Sequence, residues 1–243
     1  MPPANPFKNR PLVALRALMV LANDPDDLPK VFTVIESLPG RSPLRTMRLM
    51  RESRDGRELL ATRPDLKKRL GDHDALRRLP EGSLGRAYLE LVERAGITPE
   101  GIVDASEKGH VGGDDEDAEM IWMGDRMRDT HDLWHVVTGY ETDLLGEAAL
   151  LAFSYAQTKH PGIALVASLA IIRSVPKARE LMIGGYKRGK KAAWLPAVPW
   201  EKLLDRPLDE VRRLLAIEVA PTYEPLTSDS LREQGVLAPR AAA

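Results

Sequence analysis

Cysteine is absent from this chain. Its absence excludes disulfides, iron–sulfur clusters and thiolate zinc sites, so any metal must be held by nitrogen and oxygen donors. A reducing cytosol is compatible with that composition, although the compartment does not follow from it. An excess of charge is also missing. The chain has 35 basic and 36 acidic residues, a formal net charge of -1, and nothing calls for a nucleic-acid partner. No apolar run is long enough to span a bilayer. Period-two alternation is nowhere sustained, and tight-hairpin dipeptides are confined to Asp55-Gly56 between charged neighbours. Internal repeats and a convincing linker between separate cores are lacking. Histidine is scarce, with five in 243 residues, yet two of them lie four apart.

What is present is helix punctuation. Leu12, Leu15, Met19 and Ala22 have helical spacing, and Asn23-Asp24-Pro25 ends that segment. The first apolar stretch, PLVALRALMVLA, is broken by Arg16 and lacks a small-x-small cleavage site, so it reads as an amphipathic helix of the mature chain rather than a signal peptide. Asp27 is positioned to cap a helix with Val31, Ile35 and Leu38 on its inner face. Ser42-Pro43 reads as N-cap and first helical residue. Ser83 caps a helix that buries Leu84, Tyr88, Leu91 and Ala95, with Gly96 ending it, and Thr98-Pro99 opens another. The run GHVGGDDED (109–117) reads as a solvated loop. Ala118 to Thr138 reads as one helix stopped by Gly139, Asp143 caps the next, and Ile163 to Val175 is apolar nearly all round, as in a core helix. A later helix carries Lys187, Arg188, Lys190 and Lys191, and the last holds Val211, Leu214 and Leu215. The expectation is an all-α, single-domain helical bundle spanning residues 11–220, with a flexible N-terminus (1–10) and a loose C-terminal tail (221–243).

The chemistry is expected in His131-Asp132-Leu133-Trp134-His135 and Glu147. On a helix, the two imidazoles project from one face, one turn apart, within reach of one divalent ion. Glu147 lies twelve residues beyond His135. On one straight helix that offset is about 18 Å, at ~1.5 Å per residue, too far to share an ion. A reversal at Gly139 removes the difficulty, so a helical hairpin and a metal site require each other. Imidazole with carboxylate suits zinc foremost, with iron or manganese as alternatives. Arg128 and Asp129, with Asp125, lie upstream, where one of them would orient a histidine from behind. The spacing matches the HExxH helix of zinc proteases with Asp132 in place of the glutamate, and the His-Asp pair is shared with HD-type phosphohydrolases, so hydrolysis stays open. His73, His110 and His160 read as surface or loop histidines.

The stretch from Arg128 to Tyr140, with Gly146-Glu147, Ala152 to Gln157 and the upstream segment Leu79 to Tyr88, resembles the coenzyme Q biosynthesis protein 4 family. The His-Asp-x-x-His-(eleven residues)-Glu pattern is that family's metal motif and is complete here, and the similarity covers about residues 10 to 218. The resemblance implies an all-α protein, often dimeric, that acts in ubiquinone biosynthesis on the C1 carboxyl of a prenylated 4-hydroxybenzoate-type ring, with hydroxylation at that carbon in some accounts. It implies His131, Asp132, His135 and Glu147 as metal ligands and catalytic centre, and suggests Arg128, Asp129 and Gln157 as supporting or substrate-contacting residues. It also implies other ubiquinone biosynthesis proteins as partners, and peripheral contact with a membrane. The N-terminus has no Arg/Ser-rich mitochondrial targeting segment, which points to a bacterial member, cytoplasmic and peripherally associated with the inner membrane.

A prenyl tail requires an apolar trough. The candidates are Ala148 to Phe153 and the helix from Ile163 to Val175, both of which read equally well as ordinary core. The basic cluster at Lys187 to Lys191, beside Trp194 and Trp200, suits anionic headgroups or a diphosphate, while a solvated face is the simpler reading. The non-catalytic alternative is a prenyl-lipid-binding scaffold that presents the quinone precursor to partner enzymes.

Overall fold

Side chains that accept hydrogen bonds from free N–H groups set many of the helix starts. In the computed structural model, which describes residues 7–96, 99–110 and 117–237, Asp27, Ser83 and Asp143 accept from Lys30, Arg86 and Leu145 respectively, as expected of N-caps. The fold is all-α. In chain order the helices are α1 Pro11–Leu21, α2 Leu28–Ser37, α3 Ser42–Glu52, α4 Arg54–Thr62, α5 Leu66–Gly71, α6 His73–Arg77, α7 Leu84–Ala95, α8 Pro99–Gly109, α9 Ala118–Asp129, α10 His131–Thr138, α11 Leu144–Thr158, α12 Pro161–Arg173, α13 Pro176–Lys191, α14 Leu208–Leu214 and α15 Ser228–Glu233. Two 3₁₀ turns, Leu195–Ala197 and Trp200–Lys202, lie between α13 and α14. Among the described residues no strand forms, and the one isolated bridge joins Ser83 to Pro207.

The main core gathers α7, α10, α11 and α13 around Leu84, Tyr88, Leu133, Trp134, Leu150, Phe153, Met182 and Trp200. The parallel pair α11 and α13 is its spine. Gly185 faces the Ala149 carbonyl and Gly189 faces the Phe153 carbonyl, so closely that a Cβ at either position would fall 2.4 and 2.6 Å from those oxygens. No larger residue fits that contact without moving a backbone. A second cluster, Met47, Met50, Leu59, Leu60 and Met123, joins α3, α4 and α9. A third joins α1, α2 and α12 through Ala17, Leu21, Val34 and Val166.

Several sequence expectations require correction. The helix read as one element from Ala118 to Thr138 is two, which meet at Thr130, whose hydroxyl donates to the Met127 carbonyl. The α1 stripe faces outward. Ala14, Ala17 and Leu21 are buried, while Leu12 and Met19 are 69% and 54% exposed. α12 is no core helix: it buries Gly162, Val166 and Ala167 but leaves Ile172 at 72% exposure. Ser42 sends its hydroxyl to the Thr158 carbonyl instead of capping α3. Over its described residues the tail from 221 is tied down. Ser228 bonds Asp26, and Arg232 pairs with Asp24, Asp26 and Asp229. Most of the expected acidic loop, residues 111–116, lies outside the described residues, as do Thr98, the start of the N-terminal segment (1–6) and the end of the tail (238–243).

His160, read as a surface histidine, is the half-buried N-cap of α12. Its Nδ1 accepts from the Gly162 N–H at 3.2 Å, which requires a neutral ring, and burial pushes its pKa down to about 4. The unfolded chain therefore binds more protons between about pH 6.5 and pH 4, and the stability this cap contributes is lost as pH falls through that window. Asn at this position caps without titrating. His160→Asn should melt close to the parent at pH 7.5 and above it at pH 5, as followed by circular dichroism; parallel losses in both proteins on acidification would show that the cap does not titrate.

Candidate metal centre

α10 is an almost wholly buried helix, with Asp132 to Thr138 all inside and His131 half-buried at its start. Its C-terminus is closed by Gly139 in the left-handed conformation, φ +74°. Arg212 of α14 donates to the last-turn carbonyls of Val136 and Val137 at 3.0 Å each. The chain turns back, Asp143 caps α11, and Glu147 stands in the first turn of α11, where a negative charge is favoured.

The turn brings three of the expected residues together. Ligand-capable atoms of His131, His135 and Glu147 all lie within 4.8 Å of one another. His135 Nε2 is 3.1 Å from Glu147 Oε1, and His131 Nε2 is 3.5 Å from Glu147 Oε2. The two rings stand nearly perpendicular, with centroids 4.8 Å apart. His135 Nδ1 is held at 2.9 Å by the Tyr140 carbonyl, so that nitrogen carries the proton and Nε2 presents its lone pair to the cluster. Among the described residues, His135 Nε2 is buried with no hydrogen-bond partner, despite the nearby carboxylate. An orphaned, buried imidazole nitrogen facing a carboxylate and a second imidazole fits a divalent ion such as zinc, iron or manganese.

The electrostatics are those of a coupled set. Burial works against a charged His131, but the Glu147 charge and hydrogen bonds to Asp132 and Glu147 outweigh it and raise its pKa to about 10. Burial likewise favours a neutral Glu147, and the two imidazoles overcome that and hold its carboxyl well below the usual range.

The other expected site residues are placed differently. Asp132, read as a fourth ligand, is outside the converging group and stands 3.1 Å from His131 Nδ1, behind the ring. That arrangement is carboxylate–histidine support, which sets the tautomer and basicity of a ligand. Arg128 pairs with Asp125 at 3.0 Å and with Asp129 at 3.2 Å at the end of α9. Burial is the largest influence on Asp129 and raises its pKa. Gln157 is a structural cross-link: its amide donates to the Gly189 carbonyl and accepts from Leu195 N–H. Ala148 to Leu150, Ala152 and Phe153 are core rather than trough. Trp200 is fully buried and so faces no membrane, and Lys191 forms an exposed ion pair with Glu218. The Tyr140 carbonyl was invisible to sequence reasoning, since a backbone acceptor has no residue-type signal; its position directly after Gly139 was the one available hint.

A family model described as coenzyme Q (ubiquinone) biosynthesis protein Coq4 matches residues 2–221. The chain belongs to the Coq4 family. The mitochondrial ubiquinone biosynthesis protein COQ4 of Meyerozyma guilliermondii is 31% identical over 187 residues, covering 75% of this chain and 58% of that protein. The mitochondrial COQ4 homolog of Aedes aegypti is 32% identical over 178 residues, covering 70% and 61%. The chain thus spans about three-fifths of the length of these relatives. A crystal structure of a ubiquinone biosynthesis candidate from Nostoc punctiforme shares the fold, with a TM-score of 0.63 at 23% identity over 86% of this chain and 98% of that one. The expectation of a bacterial cytoplasmic protein is overturned, because the curated relatives are mitochondrial proteins of eukaryotes. No helix among the described residues is long and apolar enough to cross a membrane.

Calorimetric titration with Zn²⁺ separates ligands from supporting groups. Asp132→Ala should keep about one site per chain with affinity about 10–100-fold weaker, whereas Glu147→Ala should lose most of the binding. Equal losses in the two variants would make Asp132 a ligand.

Proposed function

We propose that this Coq4-family protein is a metal-dependent enzyme of ubiquinone biosynthesis that removes the C1 carboxyl group from a prenylated 4-hydroxybenzoate-type ring. The observation that carries the reading is the orphaned His135 Nε2, buried in one cluster with His131 and Glu147. His131, His135 and Glu147 would hold a divalent ion, zinc foremost and iron or manganese as alternatives. The bound ion would supply Lewis acidity for the negative charge that builds as the ring–carboxyl bond breaks. Asp132 keeps the His131 ring oriented, and the Tyr140 carbonyl does the same for His135. The largely buried α10 keeps water away from one side of the reaction, where charge interactions are stronger. CO₂ leaves, and a proton takes its place on the ring carbon. Hydroxylation at that carbon would also require an electron acceptor, a role for which iron is suited and zinc is not.

A prenyl tail would require an apolar surface within reach of Glu147. Leu151 lies one turn beyond Glu147 on the same face of α11 and packs against the cluster of Ala17, Leu21, Val34 and Val166. Adjoining that cluster at Ala17, a groove of about 230 Å³ between α1 and α2 is lined by Val13, Arg16, Ala17, Val20, Lys30 and Thr33, with basic groups beside apolar walls. The outward apolar residues Leu12, Leu15 and Met19 lie on the same helix and suit contact with a bilayer surface, self-association or pathway partners. Those exposed residues also favour the second reading, a prenyl-lipid-binding scaffold without catalysis.

Elemental analysis with a turnover assay decides between the two. The purified protein should carry about one divalent metal per chain and release CO₂ from a prenylated 4-hydroxybenzoate. His135→Ala should stay folded, lose the metal and lose turnover about 100-fold or more. A metal-free wild type that releases no CO₂ would leave the scaffold reading in its place, and undiminished CO₂ release from His135→Ala would overturn the metal-dependent mechanism itself.

A further inference from the structure

The two arms of the candidate centre belong to different parts of the bundle. α10 packs chiefly on α7, and α11 packs chiefly on α13 and α12. Their relative position is therefore governed by the turn at 139–143, and that turn does not stand alone. Residues 219–226 run across it as a strap. Ala220 N–H donates to the Thr138 carbonyl at 2.7 Å, at the end of α10. Val219 packs against Gly139 so closely that a Cβ there would lie 2.7 Å from its methyl group. Tyr223 Oη accepts from Glu141 N–H at 2.9 Å and donates to Asp143 Oδ2 at 2.8 Å. Leu226 N–H donates to Asp143 Oδ1 at 2.9 Å, and the Leu226 carbonyl accepts from Leu144 N–H at 2.9 Å. Gly146, beside Glu147, leaves the room that the Tyr223 hydroxyl occupies: a Cβ there would be 2.5 Å from it.

Every one of these contacts falls on the segment that sets the site's dimensions. Tyr140, which holds the His135 ring, is in the strapped turn, and Asp143, which accepts from two strap donors, the Tyr223 hydroxyl and the Leu226 N–H, and caps α11 at Leu145 N–H, starts the helix of Glu147. The strap is anchored at both ends. Upstream, Leu215 bonds Ala193; downstream, Ser228 and Arg232 bind the acidic residues after α1. Burial and the Asp143 hydrogen bond raise the Tyr223 pKa, so the phenol remains a proton donor to that carboxylate. Tyr223 and Leu226 lie beyond residue 221, where the family match ends.

We propose that Tyr223 is a positioning residue for the His131, His135 and Glu147 cluster, and that the 219–226 strap sets the separation between the imidazole pair and the carboxylate. The inference rests on the metal-centre reading. Its test is a Co²⁺ titration of the full chain, read by affinity and by the visible d–d spectrum, which reports ligand geometry. Tyr223→Phe should weaken Co²⁺ binding about ten-fold and change the band shape, because Glu147 is no longer held at its distance. Ser42→Ala removes a buried hydroxyl hydrogen bond at the opposite end of α11 and should leave both readouts unchanged. If the wild type binds Co²⁺, His135→Ala abolishes binding and Tyr223→Phe matches the wild type in affinity and spectrum, the strap inference fails while the metal reading stands. If His135→Ala binds as well as the wild type, or the wild type binds nothing, the metal reading fails and takes the strap with it. Hydrogen exchange on the unmodified chain covers the case in which Tyr223→Phe does not fold. Co²⁺ should slow amide exchange across 220–226 together with 139–147, and unchanged exchange at 220–226 in a chain that binds Co²⁺ would overturn the inference.

Discussion

Glu147 faces His131 and His135 because the backbone reverses at a residue with positive φ. Gly139 adopts φ +74° and has Val219 against it where a side chain would begin. No other residue type satisfies both demands cheaply. From that one turn follow the burial of α10, the capping of α11 by Asp143 and the meeting of two imidazoles with a carboxylate within 4.8 Å.

The groups that meet there are costly to bury singly and tolerable together. Burial works against charge on both His131 and Glu147, and their proximity offsets it, raising the His131 pKa and lowering that of Glu147. The surrounding supports are mostly backbone and second-rank side chains: the Tyr140 carbonyl, Asp132 behind His131, and Arg212 on the last carbonyls of α10. Such supports hold a ligand nitrogen in direction as well as in place, which is what a metal site of low coordination number demands.

The all-α fold was legible because caps are local. Asp27, Ser83, Asp143 and Gly96 act within a few residues of themselves, and periodicity did the rest. The His–His–Glu meeting was legible because helix geometry forbids it on one straight helix. What sequence could not give were facts of tertiary partnership. The apolar faces of α1 and α12 have the same periodicity whether they turn inward or outward, and only packing decided that Leu12 and Ile172 lie on the surface. The junction of α9 and α10 falls at Thr130, a residue type compatible with a helix interior or with its end. Gln157 and Asp132 carry suitable chemistry for a site, yet one is spent on α13 and the other on the rear of the His131 ring. The tail looked loose by composition, and its hydrogen bonds to Asp143 and Asp26 join residues far apart in the chain.

The central claim is that one ion binds between the two arms of this hairpin. Anomalous diffraction at the metal's absorption edge, on crystals of the protein as purified, tests it most directly. The account predicts a single strong peak about 2.0–2.2 Å from a ring nitrogen of His131, a ring nitrogen of His135 and a carboxylate oxygen of Glu147, with Asp132 outside bonding distance. An ion bound elsewhere, or a peak that Glu147 does not reach, would contradict it.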